Sequence, residues 1–456
     1  MSPRGCIACV LLLLVALACT RQDSNLGWSD GAAAAHGPCR GLECQQTTCT
    51  QGACTQPACA AQGATSVSGT VTDPAGVVPL YNVVVYVPNA PLDPLPEGVS
   101  CDRCGAAVSG APIASGLTDE SGHFVLQNAP VGENVPLVVQ VGKWRREVTI
   151  PSVAACTDTA ISRDLTRLPR NQNEGHIPRI AVSTGEGDAL ECLLRKIGID
   201  DAEFTPEGQP GRLNLFAGAG GTASYDSNLN GGSTFTSSEV FWSTLASLMR
   251  YDVVVLSCEG ISRTTPVSAA ALKAMQDYTS VGGRVFASHY HYFWVSQGPP
   301  PFPSAATFRM DLNLPDPFDA KIDVSFPKGN AMANWLVNVG GSATKGDIVI
   351  RSGRRSVDSI NPAVAQRWIY GATGPSVQYF TFNTPMTVPP DQQCGRMILS
   401  DIHVASGDVS GPDKPFPVGC TSQGLSPQEK ALEFMLFDLS SCVLQDDQNP
   451  TPPIIP

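Results

Sequence analysis

The clearest pattern of apolar and polar positions in this chain lies between Tyr251 and His291. An apolar, β-branched run at 252–256 is followed by an amphipathic stretch at 266–281 and by a second apolar run at 285–288. This order predicts two strands of a parallel sheet, buried on both faces and joined by a helix. The second strand leads into Ser288-His289-Tyr290-His291. We therefore expect two imidazoles at the carboxyl edge of the sheet, where open α/β folds bind their ligands.

Similar patterns extend through residues 169–444. Further strands are predicted at 179–184, 376–382 and 396–403, and further helices at 187–197, 238–249 and 330–339. A last helix, to about residue 439, is predicted by the capping-box sequence Ser426-Pro-Gln-Glu429. These elements predict an α/β domain with a mainly parallel sheet.

Residues 65–168 have a different pattern, in which short alternating runs are separated by Gly, Pro and Asp turns. This spacing predicts a small antiparallel β-sandwich ahead of the α/β domain, and so a multidomain chain. An insertion at 88–112 carries Cys101 and Cys104. We interpret it as a long loop pinned by a disulfide, with Cys156 as a candidate partner; a redox pair or half a zinc site is the alternative.

The first 18 residues have the pattern of a secretory signal peptide. Arg4 supplies the positive charge, residues 7–18 the apolar core, and Ala16-Leu17-Ala18 a small-residue cleavage site before Cys19. The apolar run is too short for a permanent membrane span. The site resembles bacterial lipoprotein signals, although Ala16 stands where those signals usually have Leu. We expect lipid on Cys19, with plain secretion as the alternative.

Residues 19–64 contain too few large apolar side chains to form a core. Five cysteines recur there at five-residue intervals: Cys39, Cys44, Cys49, Cys54 and Cys59. We predict a disulfide-linked stalk, with a metal-binding tract as the alternative. The Pro-rich tail at 445–456 is predicted to be disordered.

Composition indicates which partners and which cellular compartment to expect. The 456 residues carry a net charge of −12, and the basic residues form no cluster, so nucleic acid is not an expected partner. Sixteen cysteines favour an oxidising compartment. We expect an exported protein of the bacterial cell envelope, an outer-membrane lipoprotein facing the periplasm or the surface and bound to the membrane through its lipid.

The β region resembles the carboxypeptidase regulatory-like, or transthyretin-like, domain. The residues that carry the resemblance span most of 65–168: Gly69, Val71, Asp73, Gly76, Pro79, Asp119, Gly122, Phe124, Pro130 and Gly132. The resemblance implies a folding partner or binding module without catalytic residues.

The α/β region resembles the class I glutamine amidotransferase-like fold, and within it the trehalose-utilisation type. His289 follows the strand after Gly282-Gly283, and His403 ends a late strand that begins Gly395-Arg396, as the resemblance requires. This chain departs from the amidotransferases at two positions. Ser288-His289 stands where they have the nucleophilic Cys, and Ala405 stands where a Glu usually follows the late His. Glutaminase activity is therefore not expected.

Three arrangements are candidates for chemistry at the sheet edge. His289, His291, Asp401 and His403 could hold a divalent first-row metal, because alternation places each pair on one side of its strand. Ser288 and His403 could form a hydrolytic pair, although the Gly-x-Ser-x-Gly turn is absent. Cys258-Glu259 could supply a nucleophile, although a disulfide with a cysteine such as Cys192 explains Cys258 more simply.

A non-catalytic ligand-binding or structural role is the function we expect, because a fold alone does not imply an activity. No cofactor is predicted beyond the candidate metal. Four aromatic residues near the sheet edge suggest a carbohydrate ligand, with an envelope protein as the other candidate partner: Tyr290, Tyr292, Phe293 and Trp294. The alternative function is a metal-dependent hydrolase or isomerase that acts on a carbohydrate.

Overall fold

The computed structural model describes Cys59 and residues 64–261, 266–404 and 407–455, except for the side chains of Met310 and Asp311. The predicted signal peptide, Cys19 and four of the stalk cysteines (Cys39, Cys44, Cys49 and Cys54) lie outside the described residues.

The first part of the described chain is built from two small sheets. Its strands are β1 (Ser66–Thr70), β2 (Val84–Val87), β3 (Ala114–Leu117), β4 (His123–Gln127), β5 (Gly132–Val141), β6 (Trp144–Val153) and β7 (Asp158–Ala160). They are arranged in the orders β4-β1-β7 and β3-β2-β5-β6. All of these pairings are antiparallel except that of β1 with β7. Buried side chains of both sheets, such as Phe124 and Val85, belong to one hydrophobic cluster. The region is thus mostly antiparallel, as the alternating runs predict.

A short helix, α1 (Arg163–Thr166), leads to the α/β part. Its helices are α2 (Leu190–Lys196), α3 (Ser238–Phe241), α4 (Leu245–Leu248), α5 (Ala269–Ser280), α6 (Phe293–Ser296), α7 (Pro327–Asn338) and α8 (Pro427–Ser440). Its strands are β8 (Ile180–Ser183), β9 (Leu213–Ala217), β10 (Thr236–Ser237), β11 (Val253–Leu256), β12 (Arg284–Ser288), β13 (Ala306–Asn313), β14 (Phe318–Ile322), β15 (Asp347–Ile350), β16 (Arg354–Ile360), β17 (Gln366–Gly371), β18 (Val377–Thr384) and β19 (Gly395–Ser400). Short 3-10 helices lie at Asp201–Glu203, Asn230–Gly232, His289–Tyr292, Phe302–Ala305 and Pro390–Gln392.

Ten of these strands form one mixed sheet in the order β10-β9-β8-β11-β12-β19-β18-β17-β14-β15. The pairings from β10 to β19 are parallel, and those from β19 to β15 are antiparallel. The predicted mainly parallel sheet is therefore only half of the observed one. Antiparallel neighbours can be joined by a short turn, as β17 and β18 are, whereas parallel neighbours need long crossovers. Strands β13 and β16 pair separately.

The predicted strand–helix–strand unit is confirmed as β11, α5 and β12. The two strands pair in parallel from Val253 opposite Arg284 to Leu256 opposite Ala287, and every residue in them is buried. The Ser268 hydroxyl caps α5 by accepting the Ala271 amide. In contrast, the single helix predicted at 238–249 is two short helices, because Thr244 adopts an extended conformation and caps α4.

The last helix begins at the predicted capping box of Ser426 and Glu429. Buried ion pairs connect it to the residues that follow. Arg396 Nη2 lies 3.0 Å from a carboxylate oxygen of Asp438 on α8 and 2.6 Å from one of Asp446. Asp446 belongs to the tail predicted to be disordered, yet it is buried in the structure.

Four disulfides connect distant parts of the described chain: Cys59–Cys156, Cys101–Cys394, Cys104–Cys442 and Cys192–Cys420. The insertion is thus pinned by disulfides, but to the α/β part and not through Cys156. Disulfides of this number indicate an oxidising, extracytoplasmic compartment. Within the described ranges, no helix has the length and apolar character needed to span a membrane.

Candidate functional site

Four neighbouring strands, β8, β11, β12 and β19, end at one edge of the large sheet. Soon after each strand the chain carries a polar or sulfur-containing side chain: Asp188, Cys258, His289 and His403. Because these strands are parallel neighbours, their carboxyl ends lie side by side. The sheet therefore gathers residues from positions 188–403 into one cluster.

The centre of the cluster is the Nδ1 atom of His289. It lies 3.4 Å from Cys258 Sγ and 3.2 Å from His403 Nε2. Cys258 and His289 are fully buried, whereas the His403 side chain is 15% exposed. The three side chains offer ligand atoms that all lie within 4.8 Å of one another. The arrangement is thus a closed site that approaches solvent on the His403 side.

His289 Nδ1 has two close polar neighbours, which is one more than it can hydrogen-bond well. A ring nitrogen carries either one proton or one lone pair, so Nδ1 makes one good hydrogen bond and not two. The two distances from Nδ1, 3.4 Å to sulfur and 3.2 Å to nitrogen, match two edges of a metal tetrahedron, and the ligand atoms of Cys258 and His403 lie within 4.8 Å of each other. Two ligand atoms on one zinc ion lie about 3.3–3.6 Å apart when the metal–nitrogen and metal–sulfur distances are about 2.0 and 2.3 Å. The donor set therefore fits a single metal ion of that size.

Asp188 holds the segments of the cluster together. Its carboxylate accepts the Val404 amide at 2.8 Å, the Cys258 amide at 3.3 Å and the hydroxyl of Ser288. One of its oxygens also lies 4.0 Å from His403 Nδ1. A carboxylate beside a ligating histidine orients the ring and increases its basicity, and Asp188 is placed for that role. Asp188 is not among the residues predicted from the sequence, although its position soon after β8 was an available signal.

Two glycines let the segment before Asp188 approach Cys258. Gly187 donates its amide to the Cys258 carbonyl at 2.9 Å. A Cβ atom at Gly185 would lie 2.2 Å from the same carbonyl oxygen, and one at Gly187 would lie 3.0 Å from Cys258 Sγ. Side chains at either position would therefore push the Asp188 segment away from the thiol.

Burial favours the neutral forms of the two groups whose pKa values are shifted. Burial raises the pKa of the Cys258 thiol, and the nearby Asp188 carboxylate raises it further. Burial also lowers the pKa of His403, although Asp188 opposes that effect. A nucleophilic cysteine needs a thiolate at neutral pH, and this environment disfavours one. A bound cation would reverse that preference, since a metal-ligating thiol loses its proton.

Several solved structures resemble parts of this chain at low sequence identity. No family model matches the sequence, and no curated protein matches it. Among solved structures, a thua-like protein from Bacteroides uniformis is similar over 57% of this chain and 90% of its own, with 12% identity and a TM-score of 0.29. A thua-like protein from Parabacteroides merdae covers 60% of this chain and 94% of its own, with 10% identity and a TM-score of 0.28.

A cohesin–X-dockerin complex from Acetivibrio cellulolyticus is similar over 30% of this chain and 85% of its own, with 15% identity and a TM-score of 0.17. At these TM-scores we draw no conclusion about fold or function from any of the three.

The sequence-predicted metal residues separate into two groups. His289 and His403 belong to the cluster, and His291 and Asp401 do not. His291 Nε2 donates to the Ser257 carbonyl at 3.0 Å, while its Nδ1 accepts the Trp294 indole N–H at 3.2 Å. The Asp401 carboxylate accepts the Ser356 amide at 2.7 Å and the Ser356 hydroxyl. Strand alternation would group these residues with His289 and His403 only if β12 and β19 continued, but both strands end before them.

The contacts of the other residues predicted from the sequence show where each of them lies. Ser288 is buried with its hydroxyl donating to Asp188, so it is bonded to the carboxylate and not to His403. Cys192 is bonded to Cys420, which leaves Cys258 outside the described disulfides. Phe293 and Trp294 are buried in the core, and Trp294 packs edge-on against Trp242. These two rings are therefore not exposed to a sugar.

Proposed function

We propose that this chain is an exported metal-binding protein with a non-catalytic role, and that Cys258, His289 and His403 hold the ion. The observation that supports it is the position of His289 Nδ1, which has a sulfur at 3.4 Å and a second imidazole nitrogen at 3.2 Å.

The donor set favours particular ions. One thiolate and two imidazoles suit zinc and copper. Calcium and magnesium prefer oxygen ligands, so this set selects against them. We take Zn²⁺ as the first ion to test, because its ordinary geometry has the observed ligand spacing.

Burial supports binding more than catalysis. Cys258 and His289 are fully buried, so a sugar cannot touch a metal ion held between them without a large opening of the site. An ion needs far less space and could enter beside His403, whose side chain is partly exposed. A carbohydrate-acting hydrolase or isomerase, the alternative function, would require the site to open enough for a sugar oxygen to coordinate the ion.

Metal analysis of the full chain tests the proposal. After loading with Zn²⁺ and desalting, we expect one ion per chain in the wild type and less than about a tenth of that in Cys258→Ser and His403→Ala, because each removes one of three ligands. His123→Ala is the matched control, since His123 is exposed on β4. Thermal unfolding shows whether each variant is folded. A wild type without bound ion, or a folded Cys258→Ser variant with full occupancy, would overturn the proposal.

We further propose that the protein is held at the cell envelope by lipid on Cys19. The export signal and the disulfides support this location. Fractionation tests it: Cys19→Ala should move the protein from the membrane fraction to the soluble fraction, whereas Ala18→Gly should not. Membrane association that persists in a signal-processed Cys19→Ala protein would exclude a lipid anchor at that residue.

A further inference from the structure

A cavity of about 300 Å³ lies between the first β region, the insertion and the end of the chain. Strand residues such as Val84 and Gln140 line one side, Leu95 and Val108 of the insertion line another, and Pro453 lines a third. Its volume is at the lower end of the range of small-molecule sites. None of its lining residues belongs to the Cys258 cluster, so any function of the cavity is separate from the proposed metal site.

The walls of this cavity are held by covalent and polar links. Cys101 and Cys104, which line it, are bonded to Cys394 and Cys442. The Cys104 amide donates to the Val443 carbonyl at 3.1 Å. The Ser115 hydroxyl of β3 donates to the carbonyl of Pro453, which also lines the cavity, at 3.2 Å. The cavity is thus preformed, which lowers the entropy lost when a ligand binds.

The lining combines an apolar surface with two arginines, Arg103 and Arg145, whose described hydrogen bonds go to neutral oxygens. Most of the lining surface is apolar, and Val84, Leu95, Val108 and Leu117 contribute to it. Lys143 is already paired with the Asp252 carboxylate. The Arg145 guanidinium instead donates to the Ser109 hydroxyl at 3.3 Å and to the Asp93 backbone carbonyl at 2.9 Å. A guanidinium has five N–H donors, so Arg145 retains donors for a further acceptor.

We propose that the cavity binds a small amphipathic carboxylate, with Arg145 bonded to the carboxylate and the apolar walls around the hydrocarbon. Three cationic side chains (Arg103, Lys143 and Arg145) line the cavity against two carboxylates (Asp93 and Asp102), so charge complementarity selects an anion. A ligand carboxylate supplies the counter-charge that the two neutral oxygens at Arg145 do not. The planar guanidinium matches a carboxylate in shape and pairs with both of its oxygens. The apolar side chains favour a ligand whose remaining atoms are hydrocarbon.

Calorimetric titration of the full chain with octanoate tests this proposal, with 1-octanol as the uncharged ligand of the same length. We expect one octanoate per chain, and binding of 1-octanol at least about tenfold weaker, because a charge-assisted hydrogen bond contributes about that factor or more. Arg145→Gln should weaken octanoate binding by about tenfold or more and leave 1-octanol binding unchanged. Arg163→Gln is the matched control, since Arg163 is an exposed arginine of α1 outside the cavity.

A second variant keeps the test independent of Arg145. Ala107→Trp places a large side chain at an exposed position of the lining and should abolish binding of both ligands. The proposal is overturned if octanoate does not bind, if octanoate and 1-octanol bind equally, or if neither variant changes octanoate binding. Zinc content, measured on the same samples, distinguishes failure here from failure of the proposed metal site.

Discussion

His289 Nδ1 and His403 Nε2 lie 3.2 Å apart, although 114 residues separate them in the sequence. The contact follows from the pairing of β12 with β19, in which Ser288 lies opposite Ser400. His289 is the first residue after one strand, and His403 comes three residues after the other. Because the strands are parallel and in register, the two imidazoles are delivered to the same point of the sheet edge.

His291→Gln should retain the metal. Both ring nitrogens of His291 are engaged, one with the Ser257 carbonyl and one with Trp294, so neither is directed at the cluster. We expect one Zn²⁺ per chain in this variant and a lower melting temperature, because buried hydrogen bonds are lost. Metal analysis and thermal unfolding on one preparation measure both effects. Loss of the ion from a folded His291→Gln protein would show that the ligand set is incorrect.

Asp188→Ala should strongly destabilise the protein. The substitution leaves the buried amides of Cys258 and Val404 without their acceptor. We expect the free energy of unfolding to fall by about 3 kcal/mol or more, with a smaller loss for Asp188→Asn, which retains one carbonyl oxygen. Urea denaturation measures the change. Asp164→Ala is the control, because Asp164 is exposed on α1 and should alter stability by less than about 0.5 kcal/mol.

A buried carboxyl on α8 should make stability depend on pH. Glu433 is fully buried, and neither of its carboxylate oxygens has a hydrogen-bond partner among the described residues. Burial, and then the charge of Asp73, raise the pKa of Glu433 well above its ordinary value, while Lys430 opposes them and Glu429 adds to them. Burial also raises the pKa of Asp73 to about 6 against the Val77 and Val78 amides and Arg170.

Both raised pKa values mean that the folded protein binds these protons more tightly than the unfolded chain does. Their contribution to stability is complete below the ordinary carboxyl pKa and is lost as pH rises; for Asp73 it is lost between pH 3.8 and about 6. Glutamine is uncharged at every pH, so Glu433→Gln should be more stable than the wild type at pH 8 by at least about 1 kcal/mol and equal to it at pH 4. Urea denaturation at both pH values, with the exposed Glu133→Gln as control, tests this. Equal stability of wild type and Glu433→Gln at pH 8 would contradict it.

Removal of one insertion disulfide should destabilise the chain moderately. With Cys101–Cys394 intact, the bond between Cys104 and Cys442 closes a loop whose two arms span 104 − 101 = 3 and 442 − 394 = 48 residues. A bond that closes a loop of this size typically contributes about 2–4 kcal/mol. The double variant Cys104→Ala/Cys442→Ala should therefore melt at a lower temperature and be cut faster by proteases within 93–109. Unchanged melting would mean that the Cys101–Cys394 bond and the backbone hydrogen bonds of Val443 with Asp102 and Cys104 hold the insertion without the second disulfide.

Much of the architecture could be predicted because local patterns decide it. The unit β11-α5-β12 can be predicted from its apolar runs and helical spacing, and the start of α8 can be predicted from its capping box. The approach of His289 to His403 was also predictable, because both residues follow strands of one sheet. The antiparallel half of that sheet was not, since nothing local in β14 or β15 indicates which strand each will pair with.

The composition of the cluster was harder to predict. Which cysteines pair is set by the tertiary fold, so the sequence could not show that Cys192 is bonded to Cys420 and that Cys258 is left beside His289. His291 was misplaced for a local reason. The chain turns into a 3-10 helix after Ser288, and the strand alternation that grouped His291 with His289 ends there.

The connectivity of the insertion also constrains how this protein can be made. Cys101 and Cys104 find their partners 293 and 338 residues later, so neither native bond can form until nearly the whole chain has been synthesised and translocated. Until then, the nearest cysteine in the sequence to each of these two thiols is the other one. A premature Cys101–Cys104 bond would have to be reshuffled, and the yield of correctly oxidised protein should therefore depend on the disulfide-isomerase activity of the host.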